Sequence, residues 1–230
     1  MALDTLTIEA AGHPLQLCAQ RAAFDPQRQS LFVADAHFGK DAVFRAHGVP
    51  VPAGATAGDL ARLDMLIAAH EPQSIVFLGD LLHGRASLAS ETIDALAEWR
   101  ARHASVRVVM VEGNHDRHAG TLPPSLGIET VLEPWLHGPW ALCHYPQAIE
   151  GAYVLAGHEH PVYVISSRSD AVRVPCFRFG PHCGVLPAFG AFTGGFVVNQ
   201  SADISAIYAV AHQRVIAVRE RRRAPARRDP

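Results

Sequence analysis

Five short blocks of residues able to bind metal punctuate this chain: Asp35-Ala36-His37, Gly79-Asp80, Gly113-Asn114-His115-Asp116, His144, and Gly157-His158-Glu159-His160. Each follows an apolar run, and each run reads as a buried strand ending where its block begins. Asp35 and His37, two apart, can chelate one ion from an extended turn. Asp80 offers a carboxylate that can bridge two ions, which two-metal sites hold about 3.5–4 Å apart. Asn114 adds a neutral carbonyl oxygen and His144 one more nitrogen, while His158 and His160 can reach two different ions. Carboxylates, an amide and several imidazoles meeting together suit a pair of divalent cations of the Mn, Fe or Zn kind.

His115 and Asp116 suggest a different task. A histidine beside metals, held by a carboxylate, can donate a proton to a leaving oxygen. Water between two such ions loses its proton near neutral pH, and the ions neutralise charge developing on phosphate oxygens. The expected chemistry is phosphoester hydrolysis. Any one block is commonplace; five in one order, each closing an apolar run, carry the inference. Candidate substrate contacts stand beside them: Lys40 and Arg45 after the first block, His83 after the second, Arg117 and His118 after the third.

Such blocks need strands that end at one edge. Leu6-Thr7-Ile8 and Leu15 to Cys18, parted by Ala11-Gly12-His13-Pro14, read as an opening hairpin. Ser30 to Ala34, Ser74 to Leu78 and Val106 to Val111 read as strands. The helix between the first two opens on Thr56-Ala57-Gly58-Asp59, which has capping-box spacing, and buries Leu60, Leu63, Leu66 and Ile67. Leu88 to Arg102 reads as a second helix, with Ile93, Leu96 and Trp99 inward. Strand–helix–strand order predicts a parallel sheet, whose chemistry gathers at the strands' carboxyl ends.

After Pro123-Pro124 the pattern changes to short strands: Ile128 to Leu132, Trp140 to His144, Tyr153 to Ala156, Val162 to Ile165, Ala171 to Phe177, Ala206 to Val210 and Arg214 to Val218. These predict a second sheet packed face to face on the first. The fold class expected is α/β (α+β), with residues 1–218 as a single domain.

A length of 230 residues and 49% hydrophobic content fit one domain with a sizeable core. The net charge of −2 hides an asymmetry: residues 219–230 carry +4, six arginines against Glu220 and Asp229, which leaves −6 for the rest. That acidic body counts against a broad nucleic-acid groove. The terminal arginines read as a disordered tail. No signal-peptide pattern opens the sequence and no apolar run reaches the ~20 residues of a membrane span. A cytoplasmic protein without a membrane partner is expected. The four cysteines lack C-x-x-C spacing and read as core residues. The segment Pro175 to Phe196, with Phe177, Phe179, Phe189 and Phe192, reads as strand packing with glycine turns, or as a loop beside the metals that stacks bases or receives a partner.

The ordered blocks Asp-x-His, Gly-Asp, Gly-Asn-His-Asp, His and Gly-His-x-His resemble the signature of calcineurin-like metallophosphoesterases over about Leu31 to His160. The resemblance implies two packed β-sheets flanked by helices, with two metals at one edge. One metal would take Asp35, His37, Asp80 and His160; the other would take Asp80, Asn114, His144 and His158. His115 would be the proton donor and Asp116 would orient it. Asp35 to Lys40, Phe44 to Pro52 and Pro187 to Gly195 are similar to the bacterial ligase-associated DNA damage response endonucleases, the PdeM family. That similarity implies an Mn²⁺-dependent phosphodiesterase acting on DNA, single-stranded or structured, alongside a DNA ligase, a helicase and an exonuclease-like protein. Identical metal chemistry would serve a small-molecule phosphodiesterase or pyrophosphatase, because substrate choice lies in the surrounding loops. A non-catalytic scaffold of the same fold would tend to lose the histidines that this chain keeps.

Overall fold

The computed structural model describes residues 3–52, 54–167, 169–198 and 203–218. The arginine-rich tail lies outside them.

Among the described residues, two sheets form the body. The first holds seven strands in sequence order: β1 (Thr5–Ala10), β2 (His13–Cys18), β3 (Ala22–Asp25), β4 (Ser30–Val33), β5 (Ser74–Leu78), β6 (Arg107–Val111) and β7 (Ile128–Val131). Strands β1 to β4 pair antiparallel, and β4 to β7 pair parallel. The helices between them are α1 (Lys40–Ala46), α2 (Ala55–His70), α3 (Ser90–Arg102) and α4 (Asn114–Ala119). The second sheet contains β8 (Trp135–His137), β9 (Trp140–Leu142), β10 (Tyr153–Ala156), β11 (Pro161–Ser166), β12 (Ala171–Phe179), β13 (Cys183–Val185), β14 (Phe196–Val197), β15 (Ala206–Ala211) and β16 (Arg214–Ala217).

Continuous apolar runs are what a strand buried on both faces requires. In β4, Leu31 and Val33 enter the core beneath the helices, with Leu60, Leu63, Leu66, Leu96 and Trp99. Phe32 and its neighbour Ala34 enter the core between the sheets, with Trp140, Leu142, Leu155 and Phe177. In β5, Ile75 and Phe77 divide from Val76 and Leu78 in the same way. The first sheet is thus the middle layer, with helices on one face and the second sheet on the other. Among the described residues, no helix is long and apolar enough to cross a membrane.

Several local expectations are corrected. Ile128–Val131 belongs to the first sheet: the stretch from β6 to β7 passes through α4 and is long enough for a parallel crossover. Strand β3 and helix α1 were not anticipated. Thr56 and Asp59 do not cap α2, which starts after Gly54. Instead Thr56 Oγ1 accepts the Gly39 amide at 2.9 Å, and the Asp59 carboxylate accepts the Ala191 amide at 3.0 Å. Tertiary partners have claimed both side chains. All four cysteines are free, and burial pushes the Cys18 and Cys176 thiols up to about 12.

Candidate metal centre

The five blocks follow the carboxyl ends of β4, β5, β6, β9 and β10, and the third of them opens α4. Beyond each strand end the backbone must turn sharply. Asp35, His37, Asp80, His158 and His160 all adopt left-handed conformations, with φ between 47° and 69°. That region costs a side-chain-bearing residue roughly 1–2 kcal/mol. Such strain persists where surrounding structure enforces it, commonly at functional sites. Here the loops enforce it mutually: the Asp35 amide donates to Gly79 O at 3.3 Å and the His37 amide to Asp80 O at 2.9 Å.

The structure brings the seven candidate ligands together as two clusters. Asp35, His37 and His160 form one, and Asp80, His144 and His158 the other, with Asn114 as the seventh beside His144. In the first, His37 Nε2 lies 3.4 Å from His160 Nε2, which lies 3.5 Å from Asp35 Oδ1. In the second, His144 Nε2 lies 3.1 Å from His158 Nδ1 and 2.8 Å from Asn114 Oδ1. Asp80 faces both: its Oδ2 is 3.9 Å from His37 Nε2 and its Oδ1 is 3.5 Å from His144 Nε2.

The donor set fits divalent cations. His144 Nδ1 lies 3.1 Å from the Leu78 carbonyl, which can only accept, so this nitrogen carries the proton. In a neutral ring Nε2 would then turn a lone pair toward the Asn114 oxygen, a contact that a cation between them would relieve. Ligands about 2.1 Å from one ion and at right angles stand about 3 Å apart, close to the spacings seen here. Burial is the main force lowering the His37 pKa, reinforced by Lys40 and by the rings of His160, His83 and His115; the imidazole is held neutral, the ligating form. Burial, with the neighbouring Asp35 charge, raises Asp80 to about 6. Two carboxylates shut away from water call for positive charge.

His115 stands at the rim. Its Nδ1 meets the His83 carbonyl at 2.7 Å, so that nitrogen is the donor, and its Nε2 lies 4.0 Å from Asp80 Oδ2. Asp116 was expected to hold this ring, but its oxygens accept the amides of Leu82 and Gly113, both at 3.0 Å. It fixes the backbone around His115, and burial raises its pKa to about 6. His83 stacks on His115 with centroids 4.6 Å apart, and its Nδ1 is 3.2 Å from His37 Nδ1. Lys40, half-buried, is held down in pKa by burial against the opposing pull of Asp80 and Asp35. Arg45 pairs with Asp41 at 3.2 Å and with Glu91, Arg117 pairs with Glu112 at 3.0 Å, and His118 Nδ1 meets the Asn114 carbonyl at 2.6 Å. Those three are thus engaged locally.

Glu133 escaped the sequence reading. Its Oε2 accepts the amides of His144 at 2.7 Å and Tyr145 at 3.0 Å, fixing the turn that carries His144. No spacing signal marks it. The glycines inside the blocks were legible only in part. A Cβ at Gly79 would fall 2.2 Å from His144 Nδ1, and one at Gly113 would fall 2.3 Å from Asp80 Oδ1. Each gives a ligand from another strand room to enter.

The family model for calcineurin-like phosphoesterases matches residues 29–168, and the chain belongs to that family. It is a metal-dependent hydrolase of phosphoesters, in a family whose members use two divalent metals. Among solved structures, the chain is 40% identical to the Pseudomonas putida nuclease MPE, with a TM-score of 0.83 over 94% of this chain and 100% of that one. Yfce, a phosphoesterase from E. coli, is 16% identical, with a TM-score of 0.37 over 80% of this chain and 88% of that one. The curated proteins gave no match.

Proposed function

We propose that this protein is an Mn²⁺-dependent endonuclease that hydrolyses phosphodiester bonds in single-stranded or structured DNA during repair. The observation that carries this reading is the 40% identity, over nearly the whole chain, to a protein described as a nuclease. Filled ligand positions at both clusters support catalysis.

Asp35, His37, Asp80 and His160 would hold one ion, and Asp80, Asn114, His144 and His158 the other. When bound, the pair would acidify water and neutralise charge on the phosphate. His115 would act through Nε2: with Nδ1 committed to the His83 carbonyl, the protonated ring can donate only outward, to the leaving oxygen. Asp116 and Glu133 would keep the catalytic turns in place through backbone amides. Lys40, whose charge interacts with those of Asp80 and Asp35, would meet a phosphate oxygen, and His83, Arg45, Arg117 and His118 would be further substrate contacts. The two sheets share one apolar core, which supports treating residues 1–218 as one domain. The segments similar to ligase-associated endonucleases motivate a DNA ligase, a helicase and an exonuclease-like protein as partners.

Circular single-stranded DNA and bis(p-nitrophenyl) phosphate test the reading directly. Both should be cleaved with Mn²⁺, neither after chelation, and neither by Asp80→Asn protein. Rapid turnover of a small phosphate ester with no cleavage of any DNA would overturn the nuclease assignment.

A further inference from the structure

The segment after β13 runs along the first cluster and is fastened at both ends. The Gly190 amide donates to Asp35 O at 3.1 Å, and the Phe196 amide to His160 O at 3.2 Å. Phe192, between these points, is 50% exposed, and Phe196, at the second of them, is 76% exposed. Phe192 holds a left-handed φ of 56°, which an aromatic residue adopts only against its preference. The base of the loop is rigidly supported. Asp59 accepts the Ala191 amide at 3.0 Å, Arg62 donates to Asp59 at 2.8 Å and to the Phe189 carbonyl, and Arg21 donates to Ala188 O at 3.2 Å. Buried charge anchors this loop, yet its aromatic tips face solvent and gain no core packing.

Phe196 also walls a cleft of about 240 Å³ with Val197, Arg178 and Glu159, the last lying between His158 and His160 in sequence. Bordering the second cluster, Tyr145 is exposed, its ring centroid 4.4 Å from that of His158. Aromatic surface therefore borders both clusters. Two residues of chain span at most about 7 Å, so Phe192 cannot lie far from the edge of the first cluster.

Resting on the nuclease reading, we propose that Phe192 and Phe196 are a stacking platform for unpaired bases next to the scissile phosphate, with Tyr145 a third ring beside the second cluster. The charge distribution favours stacking over phosphate contacts: residues 1–218 carry a net −6. Duplex bases already stack on one another, so exposed rings select single strands.

The test uses the full-length protein loaded with Mn²⁺ and single-stranded oligonucleotides of defined sequence. Phe192→Ala and Phe196→Ala should each raise KM about tenfold, the scale of one lost base–aromatic stack, with kcat held within about twofold. Phe196→Trp should restore KM. Abasic positions flanking the cleavage site should weaken the wild-type protein similarly, and should weaken the double variant little further. Unchanged oligonucleotide KM in the double variant would overturn the platform and leave the nuclease reading intact. A fall in kcat with KM unchanged would assign the rings to site integrity and also overturn it. A wild-type protein that cleaves bis(p-nitrophenyl) phosphate but no DNA would overturn both readings.

Discussion

The backbone amide of His158 donates to both carboxylate oxygens of Asp35, at 3.1 Å to Oδ1 and 2.9 Å to Oδ2, across 123 positions of sequence. One residue follows β4 of the first sheet and the other follows β10 of the second. The candidate centre therefore sits on the seam between the sheets, and whatever occupies it also joins them.

Metal should therefore stabilise the fold as well as enable catalysis. Chelation is expected to lower Tm, and Mn²⁺ at a hundredfold excess over Kd to restore about 2.7 kcal/mol per site. Elemental analysis should find two ions per chain, and Asp80→Asn, which removes the charge and one of the two oxygens that face the two clusters, should lower occupancy of both. Retention of two tightly held ions by Asp80→Asn would contradict a role for Asp80 at both clusters.

Gly113→Ala tests close packing rather than chemistry. The added methyl would meet Asp80 Oδ1 at 2.3 Å and the Asp80 backbone nitrogen at 2.4 Å, and force the turn that carries this carboxylate aside. A shift near 1 Å can cost about a hundredfold in rate, and overpacking typically costs 1–3 kcal/mol, so activity should fall about 10²-fold with a modest loss of Tm. Near wild-type kcat/KM would show that the loop after β6 yields easily.

His115→Asn should discriminate between leaving groups. Proton donation typically contributes about 10²–10⁴-fold, and a DNA alkoxide needs it, whereas p-nitrophenolate leaves readily without it. DNA cleavage should therefore collapse while bis(p-nitrophenyl) phosphate hydrolysis survives far better. Equal losses on both substrates would assign His115 to structure or phosphate binding.

Away from the centre, His70 gives a pH signature. Its ring packs 4.7 Å from that of Phe24, and burial lowers its pKa. The unfolded chain then takes up the proton more readily than the folded one. This group has no effect above about pH 6.5, the unfolded value, and stability is lost as pH falls below it toward the depressed folded value. In His70→Gln protein, the decline of Tm between about pH 6.5 and 5 should be shallower than in wild type. An unchanged slope would place the ring's titration near its ordinary value.

The sequence by itself determined the parallel strands β4, β5 and β6, the helices α2 and α3, and the set of candidate ligands, because apolar periodicity and the block at each strand end are local patterns. Only the tertiary structure decided who meets whom. It placed β7 in the first sheet, turned Thr56 and Asp59 from expected caps into loop anchors, gave the His115 ring to the His83 carbonyl instead of Asp116, and set Glu133 beneath His144. The physical reason is common to all of these. A hydrogen-bonding side chain or an edge strand takes whichever partner the packed layers deliver, and that partner can lie anywhere along the chain, out of reach of any spacing rule.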